Sequence, residues 1–243
     1  MAETIIGRNA VLEALKGNRE IEKITLAKGA EGSVKQIAAK ARDKHIPIYY
    51  SDKARMDKAA SGGAHQGVIA VVSDYKYCTV DDILARAAQC GEDPFIIILD
   101  GLEDPHNLGA IMRTAECAGV HGIVIPKRRS VSVTETVAKT SAGAVEYMLC
   151  AKVTNIANEI EKLKEKGVWV GACDMGPDLY YRQDLKGPIA IVIGAEGAGI
   201  SRLVKEKCDF VVSIPMKGNI TSLNASNAAS ILMYEVVRQR MDI

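Results

Sequence analysis

Residues 95–99, "FIIIL", set five apolar side chains in succession with no polar one between them. A strand with one face in water alternates apolar and polar residues, so an unbroken run of strand formers belongs to a strand covered on both faces. Two further runs of this kind, "GIVIP" at 122–126 and "IAIVIG" at 189–194, are separated from the first by helical patterns. Doubly buried strands spaced by helices call for an α/β architecture with a largely parallel sheet.

The first 75 residues read as a small α/β module of their own. "AVLEALKG" has helical spacing, "IEKITLA" is a strand, "SVKQIAAKARDKH" is a helix opened by Ser33, "IPIYYS" is a strand, "DKARMDKAA" a helix and "GVIAVVS" a strand. The polar stretch "DYKYCTVDDILARAAQCGEDP" reads as a connector with a short helix, which places a linker at 76–92 and a second domain at 93–243. In that domain "LGAIMRTAECAG" is a helix closing at Gly119, "EYMLCA" is strand-like, and the strands "VWVGACD" and "FVVSIP" precede a last helix.

Composition narrows the class. With 48% hydrophobic and 25% charged residues in 243, the chain is an ordinary globular mix. Its six cysteines, at 78, 90, 117, 150, 173 and 208, form no CxxC pair, which suggests neither a zinc site nor a disulfide framework and points to a reducing cytoplasm. The start "MAETIIGRNAVLEAL" lacks a leader pattern and no apolar run approaches a membrane span, so neither export nor a membrane partner is expected. Net charge is only +1, but residues 1–60 carry 12 Lys/Arg against 8 Asp/Glu. That asymmetry fits either a polyanion partner or a wet lysine-rich surface.

Ligands of parallel sheets bind at the carboxyl ends of strands, so the loops at 100–107, 194–200 and 215–224 are expected to meet. The loop "IVIGAEGAGIS" nearly imitates a phosphate cradle, yet Ile200 stands where a P-loop needs lysine and the glycine order reverses that of a dinucleotide fingerprint. Glu196 at its mouth would repel a pyrophosphate. The glycines then serve either a tight turn or a neutral or cationic guest. Asn107, placed near a helix start, reads as a cap, and Arg113 interrupts an apolar face as either a surface residue or an anion ligand. His106 could act as a base or simply sit in a loop, and "PKRRS" at 126–130 could grip a phosphate backbone or stay solvated. Ser222, Asn224, Ser226 and Asn227 crowd one helix start where a single residue can cap, leaving spare hydrogen-bonding groups.

The segments "NLGAIMRTAECAGVHGIVIP", "IVIGAEGAGIS" and "IPMKGNITSLNASNAASILMYEVVRQR" resemble, in order and spacing, the three motifs of the SpoU/TrmH family of RNA ribose 2′-O-methyltransferases. "IIGRNAVLEAL" and "HQGVIAVV" are similar to that family's N-terminal substrate-binding domain. The resemblance implies a C-terminal domain with a deep trefoil knot, a bound S-adenosylmethionine, no metal, and a homodimer acting on RNA. Within the family the likeness is strongest to bacterial enzymes methylating a guanosine of 23S ribosomal RNA; a transfer-RNA methyltransferase and a non-catalytic RNA binder are the alternatives. Carried over by position, Arg113, Asn107, Glu196, Ser222 and Asn224 would do the chemistry. Gly194, Gly197, Ile214, Met216, Leu223 and Ser226 would hold the cofactor.

Overall fold

The computed structural model describes residues 3–17 and 19–241. These form β1 (Glu3–Ile6), α1 (Arg8–Lys16), β2 (Ile21–Ala27), α2 (Ser33–Asp43), β3 (Ile48–Ser51), α3 (Lys53–Ala59) and β4 (Val68–Val72). Next come α4 (Val80–Cys90), β5 (Phe95–Asp100), α5 (Pro105–Cys117), β6 (Gly122–Pro126), α6 (Glu135–Thr140), β7 (Cys150–Val153), α7 (Ile156–Glu165) and β8 (Trp169–Cys173). The last elements are β9 (Ile189–Gly194), α8 (Arg202–Lys207), β10 (Phe210–Val212) and α9 (Ala225–Arg240). They divide into two compact units, one of Met1–Lys76 with Val133–Tyr147, the other of Tyr77–Ser132 with Met148–Ile243.

In the second unit six parallel strands lie in the order β10-β8-β9-β5-β6-β7. The three unbroken apolar runs occupy its middle as β9, β5 and β6, where both faces are covered and a polar side chain would lie dry. Ile96 and Ile98 pack with Val124, Val170 and Val192 against Ile160 of α7 and Ile83 of α4. On the same unit α9 packs against α5 and β9. The parallel arrangement sends every strand's carboxyl end, and hence the loops after β5, β8 and β9, to one edge of the sheet.

Residues 76–92 are not a free linker. Thr79 caps α4 reciprocally: its hydroxyl accepts from the Asp82 amide at 3.2 Å, and the Asp82 carboxylate accepts from the Thr79 amide at 2.8 Å. Val80 and Ile83 are buried in the core of the second unit, and the polar residues that suggested a connector form the helix's wet face.

The first unit is a four-stranded sheet, β1-β4-β2-β3, and it is mixed: β1 and β2 run antiparallel to β4, while β3 runs parallel to β2. Strand β1, which runs directly into α1 through Gly7, escaped the sequence reading. Residues 133–147 also belong here, so the domain expected at 93–243 is interrupted. Arg19 anchors them, donating to Glu146 at 3.1 Å, to the Ser73 carbonyl at 2.7 Å and to Glu3. Burial pushes the Glu146 carboxyl above its ordinary range, against the pull of Arg19. Arg19→Met is therefore expected to cost about 3–5 kcal/mol, because it leaves a buried carboxylate uncompensated. Urea unfolding measures this, and a loss below about 1 kcal/mol, the worth of a mere surface pair, would contradict the role.

Among the described residues no helix is long and apolar enough to cross a membrane.

Candidate active site

Strand β9 ends at Gly194, where the chain doubles back. Ala195 and Gly199 exchange backbone hydrogen bonds at 3.1 and 2.9 Å, closing a tight loop over residues 195–199. A Cβ on Gly194 would lie 2.2 Å from the Gly199 carbonyl carbon and 2.4 Å from the Ile200 nitrogen, so only glycine fits. Gly197 and Gly199 have φ of +79° and +69°, which supplies the turn. Beyond it, the Asp100 carboxylate at the end of β5 accepts from the Ser201 amide at 2.8 Å, pinning the loop's far side. Turn-making thus accounts for the glycine spacing that imitated a phosphate loop.

The loop's side chain of consequence is Glu196. Its Oε1 accepts from the Asn107 amide at 3.0 Å and from the Asn224 amide at 2.5 Å, while Asn224 Nδ2 also lies 2.9 Å from Asn107 Oδ1. Three loops far apart in sequence are fastened at this point. Asn107 is buried and does not cap its helix, contrary to the cap reading. Asp104 caps α5 instead, accepting from the His106 amide at 2.9 Å, with Pro105 at the first helical position. That moves the start of α5 forward and turns Asn107 toward Glu196. Asn224 caps α9 through its Oδ1, which accepts from the amides of Ser226 and Asn227, so both ends of its side chain are used.

Beside this knot of amides lies a cleft of about 610 Å³, within the size range of nucleotide-sized ligand sites. Gly194, Gly197, Ile214, Met216 and Leu223 line it, with Ser222 and Glu196. Met216 and Leu223 leave apolar surface exposed there. Ser226 is not part of the wall; its hydroxyl turns to Asn224 Oδ1 at 2.6 Å. The wall also includes Cys173, Asp174 and Met175, which the sequence reading missed. They follow β8, the neighbour of β9, and the carboxyl-end rule applied to "VWVGACD" points to them. Burial pushes the Cys173 thiol up to about 11, so it lines the cleft uncharged. Lys205 pairs with Asp174 at 2.7 Å.

Arg113 stands apart. It is exposed, and among the described residues its side chain has no hydrogen bond or ion pair, so Glu196 does not orient it. Six residues at about 100° each carry it some 240° round α5 from Asn107. Thr114, by contrast, faces α9, where it meets the Ser230 hydroxyl at 3.3 Å. His106 is exposed on the first turn of α5. Among the described residues no cluster suited to a metal ion is present.

The model of the SpoU rRNA Methylase family matches residues 94–234, and that for RNA 2′-O ribose methyltransferase substrate binding matches residues 4–78. The chain belongs to the SpoU family of RNA 2′-O-ribose methyltransferases. YacO of Bacillus subtilis (strain 168), assigned to the TrmH family of tRNA/rRNA methyltransferases, is 49% identical over 242 residues, covering 97% of this chain and 95% of YacO. The SpoU methyltransferase AviRb of Streptomyces viridochromogenes, solved in complex with the cofactor AdoMet, superposes with a TM-score of 0.84 over all of this chain and 92% of AviRb, at 23% identity. A crystal structure of an RNA 2′-O ribose methyltransferase gives 0.80 over 98% of this chain and 88% of its own, at 25% identity. Both SpoU modules are thus present, and the fastened loops 100–107, 194–200 and 215–224 all fall in the methylase part.

Proposed function

We propose that this SpoU enzyme methylates the ribose 2′-hydroxyl of a guanosine in 23S ribosomal RNA, using S-adenosylmethionine, as a cytoplasmic homodimer. The observation that carries the reading is the Asn107–Glu196–Asn224 cluster closing the wall of a cleft large enough for a nucleoside. The residues fit the cofactor. Apolar Ile214, Met216 and Leu223 offer a surface for a flat base, the exposed backbone of 196–198 offers polar partners for its edges, and Glu196 suits a cationic guest. When bound, the cofactor's sulfonium supplies an electrophilic methyl group.

The chain's own residues supply order and charge. Asn107 and Asn224 fix Glu196 and hold three loops at one spacing, so the cleft is formed before substrate arrives and alignment does much of the work. Ser222 is placed to hydrogen-bond ribose or methionine groups. Arg113, a planar fork of hydrogen-bond donors with no acceptor, acts as an electrostatic clamp beside the reacting hydroxyl and its phosphate, not as a base. Because it turns away from Glu196 on its own helix, a second protomer is the natural recipient of that guanidinium, which is what supports the homodimer. A deep trefoil knot in the methylase part belongs to the same reading.

Ribosomal RNA is favoured over transfer RNA by the description of the matching family, with the residue 4–78 module reading RNA shape and splayed bases. Incubation with methyl-labelled S-adenosylmethionine and separated RNA species, then nucleoside mapping, tests class and substrate together. Label is expected in 23S RNA as 2′-O-methylguanosine. Label confined to transfer RNA would move the substrate, and label in no RNA would remove the enzyme.

A further inference from the structure

The turn after β6 holds Lys127, Arg128 and Arg129 in succession, all exposed. Among the described residues none of the three has a hydrogen bond or ion pair for its side chain, although Glu103 and Asp104 stand in the next loop. Several exposed cations of this unit are occupied, with Lys162, Lys164, Lys166 and Arg202 each reaching a carboxylate, whereas these three share the unpaired state of Arg113. Three neighbouring cations left to water repel one another, so the arrangement lacks any gain within the fold.

The turn is nonetheless held in a definite place. The Ser130 hydroxyl donates to the Leu102 carbonyl at 3.1 Å, and the Val131 amide donates to the same oxygen at 2.7 Å. The Lys127 amide donates to the Val153 carbonyl at 2.8 Å. Leu102 lies in the loop that leads from β5 to α5 and Asn107. The cations are therefore tied to the same carboxyl edge of the sheet, and to the same loop, as the amide cluster. Arg129 itself is held at φ +55°, a backbone conformation that costs a side-chain-bearing residue about 1–2 kcal/mol. Glycine would relieve it at once, yet an arginine stands there.

We propose that Lys127, Arg128 and Arg129 form a phosphate clamp that seats the backbone of the substrate RNA against the edge of the active site. The clamp reads no sequence; it sets where along the strand the target ribose stands. Specificity for the nucleotide then stays with the base-reading parts, while register comes from this turn. The inference rests on the RNA methyltransferase reading for its ligand, but its test does not depend on turnover.

The test compares the full-length protein with a K127A/R128A/R129A variant by filter binding to end-labelled, protein-free ribosomal RNA from 50 to 200 mM salt. Each lost phosphate contact lowers the logarithmic salt slope by about 0.7, so the wild type is expected to lose roughly 20-fold more affinity across that range than the variant. Affinity for S-adenosylmethionine and the urea midpoint should be unchanged, which separates lost contact from lost fold. R128K/R129K should keep most RNA affinity, since a phosphate accepts either cation. An unchanged salt slope in the triple variant overturns the clamp, and so does a loss of RNA affinity that the lysine variant shares. If the wild type binds RNA with the expected slope difference but transfers no methyl group, the clamp stands and the enzyme reading falls.

Discussion

Arg113→Ala is expected to lower kcat for methyl transfer by about 10²–10³-fold, the typical effect of removing one preorganised electrostatic partner, while S-adenosylmethionine binds as in the wild type. The separation follows from placement: Arg113 contributes nothing to the cleft wall and has no bond to Glu196, so its removal leaves the cofactor's surroundings intact. Calorimetric titration of the cofactor and single-turnover transfer to RNA measure the two halves. Equal loss of both would contradict the assignment. Arg113→Lys should recover little, because an ammonium keeps the charge and loses the planar fork. The same residue tests the dimer. Mixing unfolded Arg113→Ala and Asn224→Ala chains and refolding them should restore about a quarter of wild-type activity, since half of the twofold pairs would carry one intact site. If each site were built within a single protomer, the mixture would stay as inactive as its parts.

What the sequence made legible followed the reach of the interactions concerned. β5, β6 and β9 could be read because burial on both faces writes itself into consecutive residues. The capping of α5 was also within reach: "EDPHN" contains Asp before Pro, a cap and first-turn pair, and giving weight to that pair over the later Asn frees Asn107 for the site. The contribution of residues 173–175 was a matter of applying the strand-end rule to one more strand. By contrast, the placement of 133–147 rests on Arg19 meeting Glu146 across 127 positions, and no local pattern announces such a pair. Helix α4 was read as a short helix, but its attachment to the second unit was obscured because one wet face dominates its composition while three buried residues, Val80, Ile83 and Ala87, decide its position. The amide cluster itself was named through resemblance; spacing alone offered no reason why Asn107, Glu196 and Asn224 should touch.

Gly194→Ala is expected to abolish measurable cofactor binding and to cost stability at the upper end of the 1–3 kcal/mol usual for overpacking. The added methyl meets main chain, not a side chain that could swing aside: the Gly199 carbonyl carbon and oxygen and the Ile200 nitrogen all lie within 2.5 Å of it. The return limb of the loop must therefore move bodily. Doing so breaks the paired bonds between Ala195 and Gly199, pulls Ile200 from the core it helps to fill, and carries Glu196 off the two asparagines that fix it. Gly197 is the comparison that isolates the cause. A Cβ there meets nothing within 4 Å, so Gly197→Ala pays only for its positive φ, about 1–2 kcal/mol, and leaves the carboxylate within reach of its partners. Two glycines three residues apart should thus separate under the same substitution, one losing ligand and fold together, the other losing a little stability with near-normal binding. Thermal melts with and without S-adenosylmethionine read both. A Gly194→Ala protein that still melts later with cofactor than without it would mean that the loop is not held by the close backbone approach, and that the amide cluster is not what keeps the cleft open.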